Sequence, residues 1–262
     1  MLSRKMITAI ALAALIGSAG VMTAHAQDNL LKTVKERGLL RVCDAEYAPW
    51  NVKNPTNNQW EGIDVDIVNL IAELLKVKVE HVDSTFGTAI PNMMTKKCDI
   101  ITAPFYISAT RAELISYTRP FAQDGITIFV TSNSKARTLE EIDMPGKIVA
   151  VRSGSYEEPI AKRLFKRATV KSLTADGGSI QLLEIAAGRA DAALGAYYGN
   201  LHFLKANRNM KVRLLSDTML TKTSIAYAVP PQEYFMRDYL NTAILTLEEN
   251  GKIKEILDKW FR

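Results

Sequence analysis

Residues 62–82, GIDVDIVNLIAELLKVKVEHV, decide the fold. Val65, Val68, Ile71, Ala72 and Leu75 recur at three- and four-residue steps, which is the spacing of one buried helix face, and Asp64 stands where an N-cap is expected. Residues 77–82 then open in alternation and are rich in β-branched side chains, as a half-buried strand is. Working outward, residues 39–44 read as a strand before this helix. Residues 88–97 form a short helix carrying Ile90, Met93 and Met94, and residues 99–103 a third strand. A β-α-β-α-β order implies right-handed crossovers and a parallel sheet.

The pattern then restarts. Strands are predicted at 126–131, 147–151, 168–173, 191–196, 211–215 and 223–229, and helices at 138–142, 155–166 and 179–187. Pro145-Gly146 marks a turn, and the end of the chain is helical over 232–249 and 252–261, broken at Gly251. The expectation is an α/β protein of two lobes, each a mainly parallel sheet flanked by helices. Its crevice would lie at the C-terminal ends of the strands.

The chain has 262 residues, of which 47% are hydrophobic and 23% charged, a composition that excludes a disordered tail, a collagen-like chain or a disulfide-dense miniprotein. Arg4 and Lys5 precede an apolar run from Met6 to Val21, and Ala24-His25-Ala26 supplies the small residues that a signal peptidase reads. Residues 1–26 are thus expected to be a signal peptide cleaved after Ala26, the mature protein being exported and soluble. Two charges of the net +5 belong to that leader, so the remainder is too weakly basic to suggest nucleic acid.

An oxidising compartment allows a bridge between Cys43 and Cys98. Strands 39–44 and 99–103, drawn as parallel neighbours, put the two thiols at opposite ends, beyond the ~7 Å Cα limit, so two buried free thiols are expected. His81 and His202 have no ligand spacing to a cysteine or to each other, and no metal or other cofactor is expected. The nucleophile elbow, the zincin helix, the P-loop and the dinucleotide fingerprint are all missing from the sequence.

Aromatic residues gather where strands end. They are Tyr47 and Trp50, Phe86, Phe105 and Tyr106, and Tyr197 and Tyr198. Flat side chains at that end suit a small organic molecule. The segment Arg152-Ser153-Gly154-Ser155-Tyr156 leaves a strand for a helix, where exposed N–H groups favour an anion. An ordinary N-cap at Ser153 or Ser155 reads the same segment equally well.

The run Leu40-Arg41-Val42 followed by Tyr47-Ala48-Pro49-Trp50 resembles the opening of bacterial extracytoplasmic solute-binding proteins of the polar amino-acid ABC transporter family, which have the type II periplasmic-binding fold. Gly62-Ile63-Asp64-Val65-Asp66 resembles that family's G-F-D-V-D helix start. Lys97-Cys98-Asp99-Ile100-Ile101 through Arg111 to Tyr117-Thr118-Arg119-Pro120-Phe121 resembles its G-K-x-D…R…F-S-x-P-Y block. Gly188-Arg189-Ala190-Asp191-Ala192 and the closing Gly251…Lys259-Trp260-Phe261 complete the likeness.

The resemblance implies a periplasmic receptor, monomeric, that closes on a small solute and delivers it to an inner-membrane ABC permease. Lobe 1 would comprise residues 27–122 plus 224–262 and lobe 2 residues 123–223. Tyr47 and Phe86 would sandwich the ligand, Arg111 would hold a carboxylate, and Ser155 would donate from lobe 2. Trp50, Phe105, Tyr106, Arg152, Tyr156 and Tyr197 would complete the lining.

Several positions depart from the family pattern. Pro104 and Tyr106 stand where small acceptors for an α-ammonium are usual, and Ala196 falls where a second-lobe acid is usual. Arg152 replaces a side chain that is often apolar. A pocket so arranged suggests a carboxylate or other anion, with Glu157, Glu46 or Asp44 left as compensating acids. Residues 138–146 are similar to the interlobe segment of periplasmic cyclohexadienyl dehydratases, which makes an enzyme the alternative. Cys43-Asp44 and Cys98-Asp99 are similar to binding-protein relatives that accompany quinoprotein dehydrogenases, a third reading.

Overall fold

The computed structural model of the chain describes residues 29–174 and 179–261, so the expected leader lies outside the described residues. The first half runs α1 (Leu30–Arg37), β1 (Leu39–Ala45), β2 (Val52–Lys53), β3 (Trp60–Glu61), α2 (Ile63–Leu75), β4 (Lys78–Ser84), α3 (Ala89–Met94), β5 (Ile100–Tyr106), α4 (Ala109–Ala112) and β6 (Ser116–Tyr117). It continues with β7 (Ala122–Thr131), β8 (Ile148–Arg152), α5 (Glu157–Leu164), β9 (Thr169–Leu173), α6 (Ile180–Ala186), β10 (Ala192–Ala196) and α7 (Tyr197–Ala206). The last elements are β11 (Val212–Leu214), β12 (Thr221–Val229), α8 (Tyr234–Glu249) and α9 (Lys252–Phe261).

Two parallel blocks carry the fold. β4, β1 and β5 pair in parallel at one side, and β10, β8 and β9 at the other. Between them β12 and β7 run antiparallel, Thr221 opposite Ile126 through Ile225 opposite Ala122, so one mixed sheet runs in the order β4-β1-β5-β12-β7-β10-β8-β9, with β11 added on β7 and β6 on β12, while β2 and β3 pair apart from it. β5 is buried at every position and so is β10, the pattern of strands covered on both faces.

The local chemistry differs from expectation in four places. Asp64 is not the N-cap of α2. That position is Gly62, at φ +134°, where a Cβ would fall 2.2 Å from the Trp50 carbonyl oxygen. Asp64 lies inside the first turn, fully buried, and accepts from the Tyr227 hydroxyl at 3.1 Å and from Asn51 Nδ2 at 3.2 Å. Burial, with Asp44 nearby, pushes its carboxyl well above the usual range. Residues 138–142 form turns rather than a helix, with the Glu141 carboxylate accepting from the Arg137 and Thr138 amides. Neither Ser153 nor Ser155 caps α5, since Ser155 Oγ donates back to the Arg152 carbonyl at 2.8 Å. Finally, residues 197–206 form α7, which has no single apolar stripe to betray it in the sequence.

The cysteines are bridged, which corrects the free-thiol expectation. Cys43 and Cys98 have Cα atoms 5.6 Å apart and an S–S bond of 2.02 Å. Cys98 does not open a strand. It belongs to the loop between α3 and β5, which folds back along the middle of β1. There the Asp99 amide donates to the Arg41 carbonyl at 2.8 Å, and the Asp99 carboxylate takes the Arg41 amide at 2.7 Å and the Arg41 guanidinium at 3.0 Å. Arg37 completes this buried carboxylate's shell.

The bridge closes a 55-residue separation, for which chain entropy alone gives about 4 kcal/mol. Reduction, or the Cys43→Ala/Cys98→Ala double variant, should therefore lower the unfolding free energy in urea by about 2–4 kcal/mol. A urea midpoint indifferent to reductant would contradict the stabilising role.

Candidate ligand cleft

The C-terminal ends of the two parallel blocks meet, and the loops leaving them bring a set of aromatic and basic side chains together. From the first block come Tyr47 beyond β1, Phe86 between β4 and α3, Pro104 and Tyr106 of β5, and Arg111 of α4. From the second come Arg152 at the end of β8, Ser155, Tyr156 and Glu157 at the start of α5, Gln181 of α6 and Leu194 of β10. Together they line a cavity of about 20 Å³, room for about one water molecule. Two short loops set the geometry. Tyr47 and Asn51 exchange backbone hydrogen bonds at 2.7 and 3.0 Å, which fixes Tyr47, and Ser108 caps α4 ahead of Arg111.

Arg152 projects into this cavity and also lines a larger, open one of about 610 Å³ beside it, together with Glu46, Lys53, Asp83 and Phe86. Its guanidinium carbon lies 4.8 Å from the Tyr47 ring centroid and 5.0 Å from that of Phe86. The two rings stand at 81° to each other and form an angle with a cation in it. Arg152 Nε and Nη2 are sealed from solvent and have no hydrogen-bond partner among the described residues, nor has Tyr47 Oη or Gln181 Oε1. Burial pulls the Arg152 pKa below its ordinary value, against the opposing pull of Tyr47 and Glu157.

Arg111 is the second cation. It donates to the Gly154 carbonyl at 3.0 Å, across the cleft, and to the Tyr106 carbonyl at 3.4 Å. Its guanidinium carbon sits 4.0 Å from the Phe105 ring centroid. Burial lowers its pKa too, opposed by Tyr117 and Glu157. The Tyr117 hydroxyl is a further partner, and none of these groups is a carboxylate.

The two sides touch closely at glycines. Gly154, at φ +71°, lies so near Gly87 that a Cβ would fall 2.5 Å from the Gly87 Cα, and a Cβ on Gly199 would meet the Tyr47 ring at 2.4 Å. Behind the cavity, Asp124 of β7 binds both sides. It accepts from the Tyr106 hydroxyl at 3.0 Å and from the amides of Tyr198 at 2.9 Å and Gly125 at 2.6 Å.

Seven of the ten residues singled out from the sequence are thus brought together: Tyr47, Phe86, Tyr106, Arg111, Arg152, Ser155 and Tyr156. Trp50 is not at the cleft. It is core, packed edge-on against Phe121 and Phe261. Phe105 is fully buried beneath Arg111, and Tyr197 packs on Tyr198 outside the lining. Ala196 is buried at the end of β10, and Leu194, not Ala196, reaches the cavity. Gln181 and Asp124 escaped sequence reading. The signal for Asp124 was an acid within a strand otherwise buried from residue 124 to 130. Among the described residues no group of three His, Cys, Asp or Glu side chains is placed to hold a metal ion.

Burial pushes the Asp124 carboxyl from 3.8 up to about 6, against its three hydrogen bonds. The folded protein therefore holds this proton more tightly than the unfolded chain. The associated stability is complete below about pH 4 and is lost as pH rises through about 6. Relative to Asp124→Asn, the wild type should lose up to about 3 kcal/mol across that window, as urea melts at stepped pH would read. A wild-type-minus-variant difference that stays flat from pH 4 to 7 would contradict the shift.

Comparison with known proteins agrees with this architecture. Residues 40–262 match the family described as bacterial extracellular solute-binding proteins, family 3. The chain is 28% identical over 224 residues to the L-arginine-binding protein of Pseudomonas aeruginosa, covering 83% of this chain and 85% of that one. It is 25% identical over an alignment of 271 residues to the cyclohexadienyl dehydratase of the same organism, covering 98% and 94%. Among solved structures it resembles the ancestral amino acid-binding protein AncCDT-1, a precursor of cyclohexadienyl dehydratase, at 26% identity and a TM-score of 0.81, covering 90% of this chain and all of that one. A two-lobed α/β chain matched from its first strand to its last residue belongs to the bacterial extracellular solute-binding proteins, family 3.

Proposed function

We propose that the chain is the periplasmic substrate-binding component of an ABC importer. In this reading it is exported by a leader cleaved after Ala26, works as a monomer with an inner-membrane permease, and holds an amino acid or related carboxylate solute between its lobes. Lobe 1 comprises residues 27–122 plus 224–262 and lobe 2 residues 123–223, with β7 and β12 as the strands that bend when the cleft opens. The observation that carries the reading is Arg111. It is a desolvated guanidinium at the junction of the two sides, hydrogen-bonded to two carbonyl oxygens and to the Tyr117 hydroxyl, with no carboxylate among these partners. A carboxylate that replaced the Gly154 carbonyl would give it a charge-assisted, two-pronged partner.

A dehydratase reading draws support from the likeness to cyclohexadienyl dehydratase along nearly the whole chain. Against it, Glu157 is the one carboxylate in the cavity lining among the described residues, and Asp124 is already saturated by three donors. The receptor reading therefore stands first. Formation of phenylpyruvate from prephenate by the purified protein would reverse that order.

Thermal unfolding with amino acids, dicarboxylates and aromatic acids tests the receptor reading. A solute at a hundred times its dissociation constant adds about 2.7 kcal/mol, a clear rise in Tm. Arg111→Ala should abolish that rise and weaken binding about 100-fold. A carboxylate solute that binds the variant as tightly as the wild type would refute the role assigned to Arg111.

A further inference from the structure

The aromatic angle of this cleft holds a guanidinium that is part of the protein. Arg152 contacts both rings, Tyr47 and Phe86, at cation–π distance. A solute bearing its own guanidinium or ammonium would have to expel Arg152 from those rings, then share a closed space with two arginines. A neutral amino acid would engage Arg111 and leave Arg152 without an anion.

The unsatisfied atoms point the same way. Arg152 Nε and Nη2 and Tyr47 Oη are all buried, all able to donate, and all without an acceptor among the described residues. Buried donors left unpaired are costly, and a carboxylate has two oxygens with which to accept from them. Arg111 already reaches the Gly154 carbonyl, two residues along the chain from Arg152, so the two guanidinium groups flank one short loop. Against these two cations the small cavity offers one carboxylate, Glu157; of the acids in the open cavity that Arg152 also lines, Asp83 is held by Lys53 and Trp60, and Glu46 makes no ion pair with Arg152 among the described residues.

We infer that the cleft takes a dicarboxylic solute, Arg111 binding one carboxylate and Arg152 with Tyr47 the other, and that Arg152 bars cationic solutes from the aromatic rings it occupies. This rests on the receptor reading above. It sets the chain apart from its relative named for L-arginine, because here the protein supplies the guanidinium.

The test is calorimetric titration of the purified, ligand-stripped protein and of Arg152→Ala with succinate, L-glutamate, L-arginine and L-alanine. The wild type should bind succinate or glutamate at least ~10-fold more tightly than alanine, and arginine not measurably. Arg152→Ala should lose about 30-fold or more for the dicarboxylic solutes and gain arginine binding, since its aromatic angle is free. Should that variant fail to fold, as its melting curve would reveal, Arg152→Lys keeps the charge without the fork and should still weaken dicarboxylate binding. Wild-type binding of alanine or arginine as tight as that of the dicarboxylates overturns this inference and leaves the receptor reading standing. So does dicarboxylate affinity unchanged by either substitution. If neither protein binds any member of the panel, this inference falls, and the receptor reading is decided by the wider thermal-unfolding series above.

Discussion

Arg152 carries a positive charge into a space of about 20 Å³ and meets two aromatic rings there instead of an anion. Each cation–π contact contributes roughly 0.5–2 kcal/mol, whereas withdrawing an unpaired ion from water costs several kcal/mol. The rings alone do not offset that cost. What keeps the guanidinium in place is the surrounding closure. Gly154 is pressed on Gly87, Gly199 on the Tyr47 ring, and Arg111 is bonded across to the Gly154 carbonyl. On the proposed reading, the charge left without an anion among these neighbours is the driving force that an incoming anion would use.

The sheet explains how two sides can meet so closely. Parallel strands on either side aim their C-terminal ends at the same place, and the antiparallel pair β7–β12 joins them through an unbroken ladder. Asp124 sits on that pair and takes one hydrogen bond from Tyr106 on β5 and another from the first turn of α7. It therefore couples the ladder to both walls of the cavity. The Cys43–Cys98 bridge and the Asp99 carboxylate, bound by Arg37 and Arg41, stiffen β1 and β5 on the side that presents Tyr47, Tyr106 and Arg111.

Much of this was legible in the sequence because period and order suffice for it. The apolar steps of residues 65–75 gave α2, and the aromatics at strand ends gave Tyr47, Phe86 and Tyr106. What escaped depends on contacts that period does not encode. Asp64 looks like a cap but is a buried partner of Tyr227, because Gly62 alone fits against the Trp50 carbonyl. Cys98 looks like the start of a strand, yet hydrogen bonds through Asp99 fold its loop back over β1. Trp50 and Tyr106 are both aromatics near strand ends. Only packing sends the first into the core beside Phe121 and the second to Asp124.

The central claim is that Arg152 lies against the faces of Tyr47 and Phe86. Proton–nitrogen NMR of the arginine side chains in the ligand-free protein tests it most directly, because ring currents displace the signal of a guanidinium held over an aromatic face. One arginine Nε–H resonance displaced upfield, lost in Arg152→Lys and moved on addition of a dicarboxylate that binds, is the result this account predicts. An Arg152 resonance at the position of freely exposed arginines would contradict it.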